Sequence, residues 1–270
     1  MNLREKIDFL SKYGPWAVVT GASSGIGRAL ALELGKMGFD LVLVGRNAAA
    51  LHGLGEDIQS RFFTQVKVIT ADLSLPAGNQ KVVEETSGLI VGLLVASAGF
   101  GTSGKLMESD LSDELEMMQV NCHSPLVLSH ELGNKMISRR KGGIIFLSSI
   151  VAFQGVPYAA HYAATKAYIQ SLAEGLAREI KPHQVDVLAA SPGPVESGFG
   201  KRAKMSMGKA MRPEDIAELI LAGLGKKVTV YPGFLTQFLT ASLSLLPRWG
   251  KVRDMEQVMG GFTKRFRPQS

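Results

Sequence analysis

Tyr162 and Lys166, with Ser149 thirteen residues before the tyrosine, are the residues whose types and spacing could do chemistry. They lie in the runs Ser148-Ser149-Ile150 and His161-Tyr162-Ala163-Ala164-Thr165-Lys166. A tyrosine four residues before a lysine puts both side chains on one face of a helix. A free phenol titrates near pH ~10 and is a poor proton donor or acceptor at neutrality. A nearby ammonium stabilises the phenolate and draws that value toward the working pH. A serine from a strand end could hold a carbonyl oxygen beside the phenol. Tyr-x-x-x-Lys alone also describes a packed tyrosine beside a solvated lysine, so the surrounding elements have to decide.

The element that weighs most is far upstream, in Trp16-Ala17-Val18-Val19-Thr20-Gly21-Ala22-Ser23-Ser24-Gly25-Ile26-Gly27. Its valine-rich start reads as a buried parallel strand. The segment from Arg28 to Met37 has helical composition and an apolar face. A strand, a glycine turn and a helix N-terminus make an anion site, because the backbone can approach a pyrophosphate and the helix end offers free N–H groups. The spacing is Gly-x-x-x-Gly-x-Gly rather than Gly-x-Gly-x-x-Gly.

Thr20-Gly-x-x-x-Gly-x-Gly27 followed by Ser149, Tyr162 and Lys166 in this order and spacing resembles the short-chain dehydrogenase/reductase superfamily. The resemblance runs from about Trp16 to Val230. It implies a Rossmann-type α/β fold: a doubly wound parallel sheet of about seven strands in the order 3-2-1-4-5-6-7, closing near Lys227–Tyr231. It also implies that Gly21, Ser23, Ser24, Gly25, Ile26 and Gly27 hold a dinucleotide, with Asp72 and Leu73 against the adenine. Ala98 and Gly99 should back the coenzyme, although Ala96 and Ser97 replace the family's two asparagines and a supporting hydrogen bond is expected to be lost or moved. Pro192, Gly193, Val195 and Ser197 match the Pro-Gly-x-Val-x-Thr segment that holds the nicotinamide end, Tyr162 and Lys166 also touch the coenzyme, and Asn121, in an expected helical segment from Ser112 to Met136, matches the asparagine of a proton relay. Of the two serines after the fifth strand, the spacing to Tyr162 selects Ser149; alternation turns Ser148 the other way.

After the second strand the chain reads Gly45-Arg46-Asn47, with no acid for a ribose 2′-hydroxyl. An acid would repel a 2′-phosphate and Arg46 can pair with one, so NADP(H) is the expected coenzyme. Ser24 stands where many NADP-dependent relatives carry a second basic residue in the glycine turn.

The rest of the chain bounds these expectations. Its 270 residues, 46% of them apolar, suffice for one large domain, with an N-terminal helix over 1–15, a lid over 198–212 and a helical extension over 232–270. Leu3, Ile7 and Leu10 should face the domain from the first helix, and the charged N-terminus lacks a signal-peptide core, so a cytoplasmic protein is expected. Cys122 reads as a reduced core thiol, and one cysteine with five scattered histidines offers no metal-ligand spacing. His161 either lines the pocket or faces solvent. A net charge of +6, spread without interleaved aromatics, does not describe a nucleic-acid binder. On a helical wheel Phe234, Leu235, Phe238, Leu239, Leu243, Leu245 and Leu246 fill one arc and Thr236, Gln237, Thr240 and Ser244 the polar one, ahead of six basic and two acidic residues from Arg248 onward. That helix either covers the cleft or a subunit contact, the favoured reading, or makes a peripheral contact with an anionic membrane; it is too short to span one. The lid, Gly198 to Lys209, is rich in glycine, methionine and basic residues, and Phe153, Val156, Tyr158 and Phe199 should make the pocket apolar. Three functions stay open: an NADP(H)-dependent reductase of a lipophilic ketone or aldehyde, a 3-oxoacyl thioester reductase, or a non-catalytic NADP(H)-binding sensor or scaffold. A homo-oligomer, dimer or tetramer, is expected only by analogy with relatives.

Overall fold

The computed structural model describes residues 1–205, 210–244 and 246–263, without the side chains of Leu235, Leu239 and Ser244. Its valine- and leucine-rich runs form β1 (Trp16–Thr20), β2 (Asp40–Gly45), β3 (Val66–Thr70), β4 (Val91–Ala96), β5 (Gly142–Leu147), β6 (Val185–Ala190) and β7 (Thr229–Val230). They pair in parallel in the order β3-β2-β1-β4-β5-β6-β7, as expected. β7 keeps only two residues, with Pro232 closely following.

Strand side chains alternate between two cores. Ala17, Val19, Ile145 and Leu147 face one cluster, and Val18, Ile144 and Phe146 face the other. The first core packs on α1 (Leu3–Tyr13), α2 (Gly25–Lys36) and α3 (Ala48–Phe62). The second packs on α4 (Pro76–Glu85), while α5 (Leu111–Met118) leads into α6 (Ser124–Arg139), which joins α7 (Ala160–Glu179) on that same face. After β6 come α8 (Phe199–Arg202), α9 (Pro213–Gly223), α10 (Phe234–Ser244) and α11 (Arg248–Thr263). β1 lies between β2 and β4, so the chain turns opposite ways at their carboxyl ends and a crevice opens there.

Three local readings change. Expected as one helix over 112–136, the α5–α6 segment is broken by a π-turn at Gln119–His123. Pro125 cannot supply an N–H to the Asn121 carbonyl, and its ring would clash there in a regular α-helix. α1 turns Phe9 and Tyr13 inward, while Leu3 and Ile7 are 75% and 58% exposed. Leu10 alone of the expected stripe packs against the core. The Tyr13 hydroxyl donates to Asp186 at 2.6 Å, which selects this face. α10 is not laid down on the arc the wheel singled out: Phe234 and Phe238 are 84% and 61% exposed, Leu246 beyond it is exposed, and Leu243 is half-buried. Thr236, from the polar arc, is buried against Gly193, where only 3.0 Å separates its hydroxyl from the position of an added Cβ. The remaining members of that arc, the side chains of Leu235 and Leu239 and all of Leu245, lie outside the described residues, as do Ser206–Lys209 of the lid. Among the described residues no helix is long and apolar enough to cross a membrane.

Candidate active site

The nucleotide end is shaped by backbone. Gly21 has φ +67°, and a Cβ there would lie 2.8 Å from the Ala98 Cα. A Cβ on Gly27 would lie 2.5 Å from the Gly21 carbonyl oxygen, so the turn accepts no side chain at this point. α2 begins at Gly25 behind Ser24, whose side chain makes no capping hydrogen bond. The N–H groups of its first turn and its positive dipole end are therefore available to an anion. This uncapped, close-packed cradle fits the pyrophosphate of a dinucleotide. The Thr20 hydroxyl accepts from the backbone N–H groups of Ser97 and Ala98, each at 3.0 Å, and ties β1 to the end of β4.

Arg46 leaves the end of β2 toward the cleft, 3.0 Å from Glu116 and 4.0 Å from Asp72. The Asp72 carboxylate accepts from the Ser74 N–H and hydroxyl. Burial acts to raise its pKa, but these bonds and the charges of Arg46 and Arg202 outweigh burial and hold it below the usual carboxylate value. The Asn47 side chain is engaged as the cap of α3, accepting from the Ala50 N–H at 3.0 Å.

At the other end, β5 delivers Ser149 and α7 delivers Tyr162 and Lys166, all three buried. Burial raises the Tyr162 phenol above its ordinary value, and a hydrogen bond from Ser149 works against that rise. The Lys166 ammonium donates to the Leu147 carbonyl at 2.8 Å and lies 5.8 Å from the Tyr162 ring centroid. Burial pushes Lys166 down to about 8. Burial is thus the larger influence on the neutral phenol in this geometry. Ser148 points away, donating to the Lys166 carbonyl at 3.2 Å.

The π-turn aims Asn121 inward. Its amide donates to the Phe100 carbonyl at 2.9 Å and to the Thr165 hydroxyl at 3.0 Å, and its oxygen accepts from the Phe100 N–H at 3.1 Å. A Cβ on Gly99 would meet this oxygen at 3.0 Å and the Lys166 ammonium at 3.4 Å. Cys122 is a buried free thiol, pushed up to about 11 by burial. His161 neither lines the cleft nor stands free in solvent: its Nδ1 pairs with the buried Glu114 at 2.7 Å.

Beyond β6, Val195 bridges to Met211, and the Ser197 hydroxyl accepts from the Phe199 N–H at 3.3 Å. The Phe199 ring packs 5.2 Å from the Tyr162 ring. Phe153 packs at a tilt against Tyr231 instead, ring centroids 5.7 Å apart, while Val156 and Tyr158 pack in the apolar cluster around Tyr162.

One cleft of about 860 Å³ brings these residues together. It is lined by Gly21, Ser23–Gly27, Arg46, Asn47, Asp72, Leu73, Ala98, Gly99, Ser149, Tyr162, Lys166, Pro192, Gly193, Val195 and Ser197. Asn121 is the predicted site residue that does not line it. Sequence reasoning missed the α11 wall, although Met255, Met259 and Phe262 recur at helical spacing, and it missed Arg202.

The short chain dehydrogenase family model matches residues 15–207. A 7beta-hydroxysteroid dehydrogenase of Clostridium sardiniense is 33% identical over 235 residues, 86% of this chain and 90% of its own. A very-long-chain 3-oxoacyl-CoA reductase-like protein of Arabidopsis thaliana is 38% identical over 189 residues, 68% of this chain and 60% of its own. A solved 7beta-hydroxysteroid dehydrogenase superposes with a TM-score of 0.84 at 26% identity, covering 94% of this chain and 99% of the other. With the glycine cradle and the serine, tyrosine and lysine in one cleft, the match over most of the chain makes this protein a member of the short-chain dehydrogenase family.

Proposed function

We propose that the chain reduces a bulky, lipophilic ketone to the alcohol, with NADP(H) as coenzyme and a hydroxysteroid-like carbonyl as the best-supported substrate class. The observation that carries this reading is the shared cleft. Its nucleotide end holds Arg46 and the glycine cradle, and its far end is walled by Met205, Leu243, Met255, Met259 and Phe262 around Tyr162.

When bound, the nicotinamide supplies the hydride. Tyr162 gives its proton to the carbonyl oxygen, and the Ser149 hydroxyl hydrogen-bonds that oxygen as charge develops on it. The Lys166 ammonium stabilises the phenolate that remains. Asn121, bonded to both Phe100 backbone groups and to Thr165, acts as a positioning residue for the wall that Gly99 forms against Lys166. The apolar far end excludes water and orients the substrate. Reduction is the physiological direction under this reading.

The test is initial-rate oxidation of NADPH and NADH by the purified chain, with ketosteroids, 3-oxoacyl thioesters and small hydrophilic ketones, beside Tyr162→Phe. Tyrosine-dependent turnover of ketosteroids with NADPH is expected. Preference for thioesters would move the substrate class to acyl chains, and turnover of small hydrophilic ketones alone would sink the lipophilic reading. Tight NADPH binding without turnover of any carbonyl would support a sensor.

A homo-oligomer is supported by exposed Leu111, Leu115 and Met118 at helical spacing on α5. A peripheral contact of a cytoplasmic protein with an anionic membrane is supported by outward Phe234 and Phe238, with exposed Arg248, Trp249 and Arg253 in the following helix.

A further inference from the structure

The cleft contains a charge arrangement that the proposed chemistry does not use. Glu116 of α5 accepts from Arg46 at the end of β2 and from Arg202 at the end of α8, each at 3.0 Å and both on Oε1. β2 and β6 lie on opposite sides of β1 and β4 in the sheet, so the two arginines reach the same oxygen from the two flanks of the crevice. Both arginines line the cleft. The Arg202 guanidinium also lies 3.6 Å over the Phe100 ring, a stacking contact that holds its plane. Asp72, the other carboxylate nearby, is 4.0 Å from Arg46.

A carboxylate oxygen between two guanidinium forks stands in the position that suits a phosphate oxygen. The glycine turn offers no cation, because Ser24 is neutral. A phosphate dianion facing Arg46 alone would be half matched and would also face Glu116 and Asp72. The long, planar side chain of Arg202 is already beside Arg46 and lacks only an anion other than Glu116 to bind.

We propose that Arg202 is a second ligand of the coenzyme 2′-phosphate, and that the phosphate takes the place of the Glu116 carboxylate between the two arginines. This rests on the reading of Arg46 as a 2′-phosphate ligand and extends it. The second cation is supplied by the substrate lid rather than by the glycine turn. The discrimination between NADPH and NADH is thus divided between a fixed residue at a strand end and a residue on a four-residue helix. Glu116 sets how strongly the arginines prefer the phosphate over the carboxylate they already have.

The test is fluorescence or calorimetric titration of the full chain with NADPH and with NADH, for the parent protein and for Arg46→Met, Arg202→Met, Arg202→Lys and Glu116→Gln. Arg202→Met should weaken NADPH about tenfold and NADH by less than about twofold, as loss of a charge-assisted hydrogen bond requires. Arg202→Lys should fall between, keeping the charge without the fork. Glu116→Gln should tighten NADPH by roughly threefold and leave NADH unchanged. Equal weakening of both coenzymes by Arg202→Met would show a purely structural contact and overturn the proposal. So would a loss of NADPH affinity in Glu116→Gln. If Arg46→Met alone lowers the NADPH preference, the Arg46 reading stands and the Arg202 extension falls. If Arg46→Met leaves the preference unchanged, both fall.

Discussion

The two ends of the cleft are built by different means. The nucleotide end is backbone against backbone: Gly21 on Ala98, Gly27 on the Gly21 carbonyl, and two N–H groups on the Thr20 hydroxyl. The substrate end is side chain against side chain, with Met205, Met255 and Met259 around Tyr162 and Phe199. Backbone contacts at 2.5–2.8 Å from a would-be Cβ leave no room for substitution. Methionines, unbranched and polarizable, repack at small cost. The first end can therefore serve one coenzyme and little else, whereas the second can be re-cut for another substrate without touching the sheet.

The sharpest way to break this comparison is at its centre. Tyr162→Phe should lower kcat roughly a thousandfold while NADPH titrations stay near the parent value; turnover within tenfold of the parent would remove the phenol as proton donor. Arg46→Asp comes next. Reversing that charge should weaken NADPH roughly a hundredfold relative to NADH, and an unchanged ratio would detach Arg46 from the phosphate. Gly27→Ala should cost about 2 kcal/mol of stability by overpacking and abolish coenzyme binding together with it. A variant melting within a degree of the parent and binding normally would show that the rigid end is not rigid.

Smaller effects test the substrate end. Lys166 is held near 8 by burial, below its ordinary 10.5. It carries its proton below that value and loses it as pH rises through it. The value of kcat/KM for carbonyl reduction should therefore be level through neutrality and decline above about pH 8; a profile level to pH 10 would contradict the assignment. Met255→Leu should shift KM between bulky ketones by only about threefold, with less than about 1.5 kcal/mol of stability change. A larger loss of stability than of selectivity would place Met255 in the rigid class.

The same contrast decides what the sequence made legible. The glycine cradle and the serine, tyrosine and lysine were readable because each depends on local spacing or on a backbone position that only glycine can occupy, and the sheet order followed only from the family resemblance that those motifs carry. The inward face of α1 was not, because two stripes compete there and the deciding partner of Tyr13, Asp186, is 173 residues away. Arg202 and Glu116 are separated by 86 residues, and Arg46 and Glu116 by 70, so their meeting leaves no local pattern. α10 was misjudged for a related reason: a wheel ranks apolarity, while Thr236 is chosen by its fit against Gly193.

The π-turn at Gln119–His123 carries one last consequence. A regular helix advances 100° per residue, and a π-turn works like one extra residue inserted without lengthening the path to the next element. Asn121 thus depends on arithmetic as well as on identity. Deleting one residue within Gln119–His123 would return the segment to regular α-helix with both flanks still in place, but would swing the amide away from Phe100 and set the Pro125 ring against the preceding turn. The segment behaves as an absorbed insertion: its length, counted in residues, is as much an encoded quantity as the asparagine it carries.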